Sequence, residues 1–446
     1  MNTPIVDFAR KYAKSEPIRL HMPGHKGQSL LGCESLDLTE IIGADELFAP
    51  DGIIAESEAN ASKIFGCPTI YSTEGSSLCI RTMLYLALQF AVAHGKKPRI
   101  AATRNAHRAF LSSAILLGFQ PIWIPASGGD NLLASSLDTA LLDAFFASET
   151  PLPTALYLTS PDYLGNTADI QTIAEICHKY GVLLLVDNAH GAYLHFLPTS
   201  QHPAALGADI CCDSAHKTLP VLTGGAYLHI AGAHRDFFVS KAKSAMVLFA
   251  STSPSYLILE SLDACNALLT STFSQQIRDI TASVAMIRQT LSAQGFSFCG
   301  AEPLKLTICA KSYGYLGTEI ADYLNKHNIT HEFADRDHLV LMVSPFNTTQ
   351  ELSMLRDILL ALPQKQPVSE EIPYADAVDF ACSPRQAAFA HCEQLPISAC
   401  KGRICAETAF SCPPAVPIVF CGERITQSAI ERFQYYGITE CLVVSE

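Results

Sequence analysis

The chain has 446 residues, 49% apolar and 16% charged, enough for a large core and roughly two to three domains, and too apolar for a disordered chain. Its formal net charge of -13 argues against a nucleic-acid partner, since little basic surface is available to displace counterions, and gives cationic small molecules a weakly favourable field. No basic-then-apolar leader opens the sequence, and the longest apolar run, near Met83 to Ala93, is broken by Gln89 and too short for a bilayer, so a soluble cytoplasmic protein with no membrane partner is expected.

Residues 1–40 read as an N-terminal arm. Gly75-Ser76-Ser77 then precedes a helical run from Leu78, where free N–H groups and the helix dipole would suit a phosphate. The run from Arg99 to Thr103 is a predicted strand, Ala109 to Gly118 a helix stopped by glycine, and Pro121 to Ile124 a second strand. The pattern repeats with strand Ala155 to Thr159 and helix Ile170 to Tyr180, in which Ile170, Ile173, Ala174 and Cys177 share a face. Val182 to Val186 is a continuous apolar run, as in a strand covered on both sides. Ile210 to Cys212 and Ala226 to Ile230 follow, giving a mainly parallel, helix-covered α/β sheet over residues 41–270. A long helix, Phe273 to Leu291, and strands between Gly295 and Tyr315 suggest a smaller α/β domain over 271–362. The proline-rich stretch Pro363 to Pro373 reads as a linker to a compact C-terminal domain, 374–446.

Sixteen cysteines invite a disulfide or zinc reading, but no Cys-x-x-Cys pair occurs and the late cysteines are irregularly spaced. No metal site is expected; the thiols read as reduced core residues.

Open α/β sheets bind ligands beyond the carboxyl ends of their strands. The residues just after the predicted strands are Asn105 and His107, Ser160, Asp187 and His190, and Ser214, His216 and Lys217. Asp187 ends an apolar strand, where a carboxylate is either a cap or a partner for a buried cation such as a protonated pyridine nitrogen. Lysines are mostly solvated, yet Lys217 is flanked by small and apolar residues, and a desolvated lysine forms imines with aldehydes. His107 is either structural or a group stacked on an aromatic ring.

An ordered set of motifs resembles the Orn/Lys/Arg decarboxylase family of fold-type I enzymes dependent on pyridoxal 5′-phosphate (PLP). The set runs from Arg19-Leu20-His21-Met22-Pro23-Gly24-His25-Lys26-Gly27 through Thr39 to Pro50 and Glu74-Gly75-Ser76-Ser77 to Arg104-Asn105-Ala106-His107 and Thr159-Ser160-Pro161. It continues through Val186-Asp187-Asn188-Ala189-His190-Gly191, Ser214 to Pro220, Ser251 to Tyr256 and Pro413-Pro414…Gly422-Glu423. The chain is similar to the short form of that family, without an N-terminal wing domain. The resemblance implies an aspartate aminotransferase-like fold and a Schiff-base lysine at Lys217. It further implies an acid on the pyridinium nitrogen at Asp187, a ring-stacking histidine at His107, phosphate-binding hydroxyls at Ser76, Ser77 and Ser214 with His216 beside them, and His190 in the cofactor site. It also implies homodimers or larger assemblies, with His21 to Gly27 and Ser251 to Tyr256 near the cofactor at the subunit interface.

Two departures stand out. Cys412-Pro413-Pro414-Ala415-Val416-Pro417…Cys421-Gly422-Glu423 replaces a Tyr-Pro-Pro-Gly-Ile-Pro…Pro-Gly-Glu pattern, and Phe48-Ala49-Pro50 stands where a histidine is frequent. The implied activity is decarboxylation of arginine, lysine or ornithine, arginine favoured by analogy, within polyamine metabolism. Lys217 or His216 would return a proton to Cα, and Asp45, Glu46 and Glu407 are candidates for the substrate's distal cation. The rivals are transamination or elimination at the same site and a catalytically silent regulatory homologue.

Overall fold

The computed structural model describes residues 1–124, 133–134, 137–374, 379–409 and 416–445. The chain begins with α1 (Pro4–Lys14), α2 (Ile53–Phe65), β1 (Thr69–Ser72), α3 (Gly75–Ala93), β2 (Ile100–Ala102), α4 (Arg108–Leu117), β3 (Ile122–Trp123), α5 (Thr139–Ser148) and β4 (Ala155–Thr159). Next come α6 (Ile170–Lys179), β5 (Leu183–Asp187), β6 (Ile210–Asp213), α7 (Ala215–Thr218), β7 (Ala226–Ile230), α8 (Arg235–Val247), α9 (Tyr256–Leu269) and α10 (Phe273–Ser292). The remainder holds β8 (Phe298–Cys299), β9 (Lys305–Cys309), α11 (Gly317–Asn325), β10 (Phe333–Ala334) and β11 (His338–Met342), then α12 (Thr349–Leu360), α13 (Pro384–Ala388), β12 (Cys392–Pro396), α14 (Gln427–Tyr435) and β13 (Glu440–Val444).

Strands β1 to β7 form one sheet in the order β1-β7-β6-β5-β4-β2-β3. β5 pairs with β6, and β2 with β3, in parallel, whereas β7 runs antiparallel to both β1 and β6. β10-β11-β9-β8 is an antiparallel sheet, and β12 pairs with β13. The chain divides into two compact units, Met1–Pro98 with Leu152–Tyr157 and Ile170–Gln275, and Arg99–Pro151 with Leu158–Asp169 and Gln276–Glu446.

In the first unit the continuous apolar run of β5 is buried along its whole length, as a strand covered on both faces requires. Gly181, at φ 66°, turns the chain from α6 into that strand in a backbone conformation that only glycine adopts freely. The apolar run expected from Met83 is part of a longer helix, because Leu78, Cys79 and Ile80 extend its apolar surface towards Gly75. Among the described residues α3 is the one helix long and apolar enough to cross a bilayer by length and composition, but Leu78, Met83, Leu84 and Ala87 are buried, as in the core helix of a folded domain.

In the second unit Ile397, Cys400, Cys405, Val419, Ile425, Phe433, Cys441 and Val443 form one buried cluster. All the described cysteines are free thiols, and nine of the fifteen are buried, consistent with a role as small apolar side chains. The stretch 363–373 has no regular element, though Val368 N donates to Lys311 O at 3.0 Å. Of the altered C-terminal motif, Cys412, Pro413, Pro414 and Ala415 lie outside the described residues.

Candidate active site

β5 and β6 lie side by side in parallel, with Asp187 opposite Cys212, so their carboxyl ends bring two short turns together. The first carries Asp187, Asn188, Ala189 and His190; the second carries Asp213, Ser214, His216 and Lys217. Asp187 is only 2% exposed. It accepts hydrogen bonds from the Tyr157 hydroxyl at 3.0 Å and from Ala189 N at 3.2 Å. Burial pushes its carboxyl above the usual range, while the nearby Lys217 charge and the Tyr157 hydroxyl pull the other way.

Lys217 Nζ lies 3.1 Å from His190 Nε2, which joins the two turns. His216 Nδ1 is 3.0 Å from Gly225 O, and because a carbonyl only accepts, Nδ1 carries the proton and Nε2 the lone pair. Ser214, 2% exposed, donates through Oγ to Ser76 Oγ at 2.7 Å. Ser76 and Ser77 open α3, whose N-cap residue Glu74 makes no side-chain cap, so the orphan amides of the first turn are not capped by it. Gly75 sits at φ 69°, and a Cβ there would meet open space, which leaves room above the helix end.

Beneath these turns lies a network that the sequence reading missed. Asp213 is fully buried; its Oδ2 accepts from His202 Nε2 and His229 Nε2, both at 3.0 Å, and its Oδ1 accepts from Asn188 Nδ2 at 2.6 Å. The two imidazoles outweigh burial and hold the Asp213 carboxyl well below the usual range. Asn188 thereby ties the Asp187 turn to the end of β6. The available signal was an acid closing an apolar strand, Ile-Cys-Cys-Asp, in the same manner as Leu-Leu-Val-Asp.

Most of the other expected residues have local partners of their own. His107 is half-buried in the second unit and caps α4, its Nδ1 accepting from Ala109 N at 3.1 Å. Ser160, also in that unit, accepts from Ala168 N at 3.0 Å. Asp45 adopts φ 73°, and its two oxygens accept amides from Glu46, Asp51, Gly52, Ile54 and Ala55 at 2.8–3.3 Å. Those bonds outweigh its partial burial and lower its carboxyl, so Asp45 closes the loop into α2. Glu46 is exposed. Glu407, in the second unit, accepts from Ala409 N at 3.1 Å and lines a cavity of about 750 Å³ with Arg336, Tyr435 and Tyr436.

Comparison with known families decides the placement. The Orn/Lys/Arg decarboxylase major domain matches residues 3–301, and the C-terminal domain of the same family matches residues 371–442. The chain belongs to the Orn/Lys/Arg decarboxylase family. It is 32% identical to an arginine decarboxylase of Bacillus subtilis (strain 168) over 96% of this chain and 92% of that protein. Among solved structures it resembles the lysine decarboxylase LdcF of Francisella novicida, at TM-score 0.81 and 17% identity over 99% of this chain and 81% of the other. It also resembles the constitutive lysine decarboxylase of E. coli, at TM-score 0.77 and 16% identity over 100% and 82% of the two chains. The fold is the fold-type I α/β architecture expected from the sequence, with its large, mainly parallel sheet.

Proposed function

We propose that this family member is a PLP-dependent decarboxylase of a basic amino acid, with arginine preferred, and that Lys217 and Asp187 are its principal catalytic residues. The observation that carries the reading is the convergence of Lys217, His190 and buried Asp187 at the ends of β5 and β6, in the unit that also pairs Ser214 with Ser76.

These residues fit PLP. A buried carboxylate already poised for a cation suits the pyridinium nitrogen. The open space at Gly75, the first-turn amides of α3 and the hydroxyls of Ser76, Ser77 and Ser214 suit a phosphate dianion. When bound, PLP supplies the conjugated system that takes up the electron pair left at Cα as CO₂ departs. Asp187 would hold the ring nitrogen in its cationic form, and Tyr157 fixes the orientation of that carboxylate by its hydrogen bond. Lys217 supplies the amine that the substrate amine exchanges with, and His190, at 3.1 Å, can take or return its proton. His216, protonated on Nδ1 by its bond to Gly225 O, presents Nε2 as the second group able to carry a proton to Cα. By the family resemblance, His107 would hold the ring by stacking.

Arginine is favoured because the relatives of 31–32% identity that span 96% of this chain carry the name arginine decarboxylase, whereas the lysine decarboxylases match at 16–17%. The product would be a cationic amine of the class that feeds polyamine synthesis. Glu46 and Glu407 remain the candidates for the distal cation, since the Asp45 oxygens are taken up by backbone amides. A homodimer is supported by exposed apolar residues in and beside the arm: Ile18, Leu20, Leu30, Leu31 and Ile42 are each at least 84% exposed, surface that a second copy would cover. The free thiols accord with a reducing cytoplasm.

The test is incubation of purified PLP-loaded enzyme with arginine, lysine and ornithine, measuring CO₂ and identifying the product. The reading predicts CO₂ and agmatine in equal amounts from arginine, with slower turnover of the other two. Keto-acid formation without CO₂ would assign a transamination instead.

A further inference from the structure

We propose that Cys299, Cys309 and His338 form a binding site for a thiophilic divalent cation, zinc above all, in the four-stranded sheet of the second unit. Sheet register, rather than sequence spacing, assembles it. Cys309 ends β9 directly opposite His338, the first residue of β11, while Cys299 on β8 stands opposite Thr307. Thr307 and Cys309 are two residues apart on β9, so all three candidate ligands project from one face of three adjacent strands.

Their ligand atoms lie within 4.8 Å of one another. A tetrahedral zinc with Zn–S of about 2.3 Å and Zn–N of about 2.0 Å separates its ligands by roughly 3.5–3.8 Å. Small side-chain rotations therefore suffice. A disulfide fits less well, because Cys299 and Cys309 are diagonal neighbours. Diagonal Cα atoms are about 7–8 Å apart, beyond the roughly 6.8 Å that a disulfide normally spans. Two thiols beside an imidazole are a soft donor set.

An independent observation points the same way. His338 is 8% exposed, and its Nδ1 faces the carboxylate of Asp335. Asp335 Oδ1 lies 3.5 Å from that nitrogen and is itself fixed by the amides of Asp337 and His338, at 2.8 and 2.6 Å. A carboxylate behind a histidine is the arrangement that orients the ring of a metal ligand and raises its basicity. Binding displaces the thiol protons of Cys299 and Cys309 and forms two Zn–S bonds and one Zn–N bond, with no change in oxidation state. Both thiols are partly exposed, which leaves a route for the ion and a fourth position for water. The ion would tie β8, β9 and β11 together, apart from the decarboxylation chemistry.

The experiment uses the full-length PLP-loaded enzyme, stripped with a chelator, kept reduced and titrated with Zn²⁺ alone. The wild type should take up about one equivalent more than Cys299→Ser/Cys309→Ser, while Cys400→Ser binds like the wild type. Asp335→Asn should weaken binding by about 10–100-fold. Titration of the wild type with Co²⁺ should give a thiolate-to-metal charge-transfer band, a readout that stands even if the double variant misfolds. Equal Zn²⁺ uptake by wild type and the double variant, or a wild-type Co²⁺ spectrum without that band, would overturn the assignment.

Discussion

Replacing Asp213 by Asn tests how the active-site turns are held. The carboxylate is fully buried and accepts three hydrogen bonds, from His202, His229 and Asn188 at 2.6–3.0 Å. Asn has nearly the same volume, so packing is preserved while the charge is lost and one acceptor oxygen becomes a donor facing other donors. Hydrogen bonds to a charged group contribute about 1.5–3 kcal/mol each, but they share one carboxylate and do not add. Removing the charged partner of a buried pair costs about 3–5 kcal/mol, the expected loss here. The network also sets a pH dependence. The Asp213 carboxyl is depressed in the fold, so its stabilisation is present above the ordinary carboxylate pKa and lost as pH falls through the lower folded value. Hydrogen exchange of the β5 and β6 amides, with far-ultraviolet circular dichroism through a urea titration, reads the loss in the first unit. The lone tryptophan, Trp123, belongs to the second unit and reports on that unit instead. Exchange should accelerate first in residues 187–190, which Asn188 anchors. A variant that loses less than about 1 kcal/mol, with unchanged exchange there, would refute the network's role.

In the second unit Lys305 and Glu302 are both 1% exposed and 2.8 Å apart, so Lys305→Met alone should cost about 3–5 kcal/mol, while Lys305→Met/Glu302→Leu regains most of it; an additive double variant would contradict this. Glu423 is fully buried and accepts from Arg104 and Trp123 Nε1, both at 2.8 Å, so Glu423→Gln should destabilise by about 3 kcal/mol and shift Trp123 fluorescence; unchanged emission and stability would count against it. Burial pushes the Glu260 carboxyl up to about 8 from 4.5, despite the opposing charge of Arg10. The native state then keeps a proton that the unfolded chain releases, so stability falls as pH rises from about 4.5 to about 8 and levels off above. Glu260→Gln should flatten that decline, and an identical pH profile would show that the group is not responsible.

Much of the first unit is legible locally. Ala226–Ile230 forms the strand that its apolar run predicts, and Gly181 ends α6 as a residue tolerant of positive φ should. The direction of β7 was not legible, since an antiparallel strand buried on both faces has the same apolar run as a parallel one. Asp187 and Lys217 stood out because each follows an apolar strand, where charge is costly to bury. Asp213 obeys the same rule, but its meaning depends on His202 and His229, brought together only by folding. Asp45 shows the converse: its charge suggested a ligand for a cation, and five backbone amides that no side-chain pattern encodes occupy it. Cys299, Cys309 and His338 were invisible as a set because their juxtaposition is a matter of strand register.

Under the proposed assignment, CO₂ release depends on the Lys217 amine at the ends of β5 and β6. The most direct test is the rate of CO₂ release from arginine by Lys217→Ala, with circular dichroism matched to the wild type. No turnover above background is expected; near wild-type CO₂ release from that variant would contradict the role of Lys217.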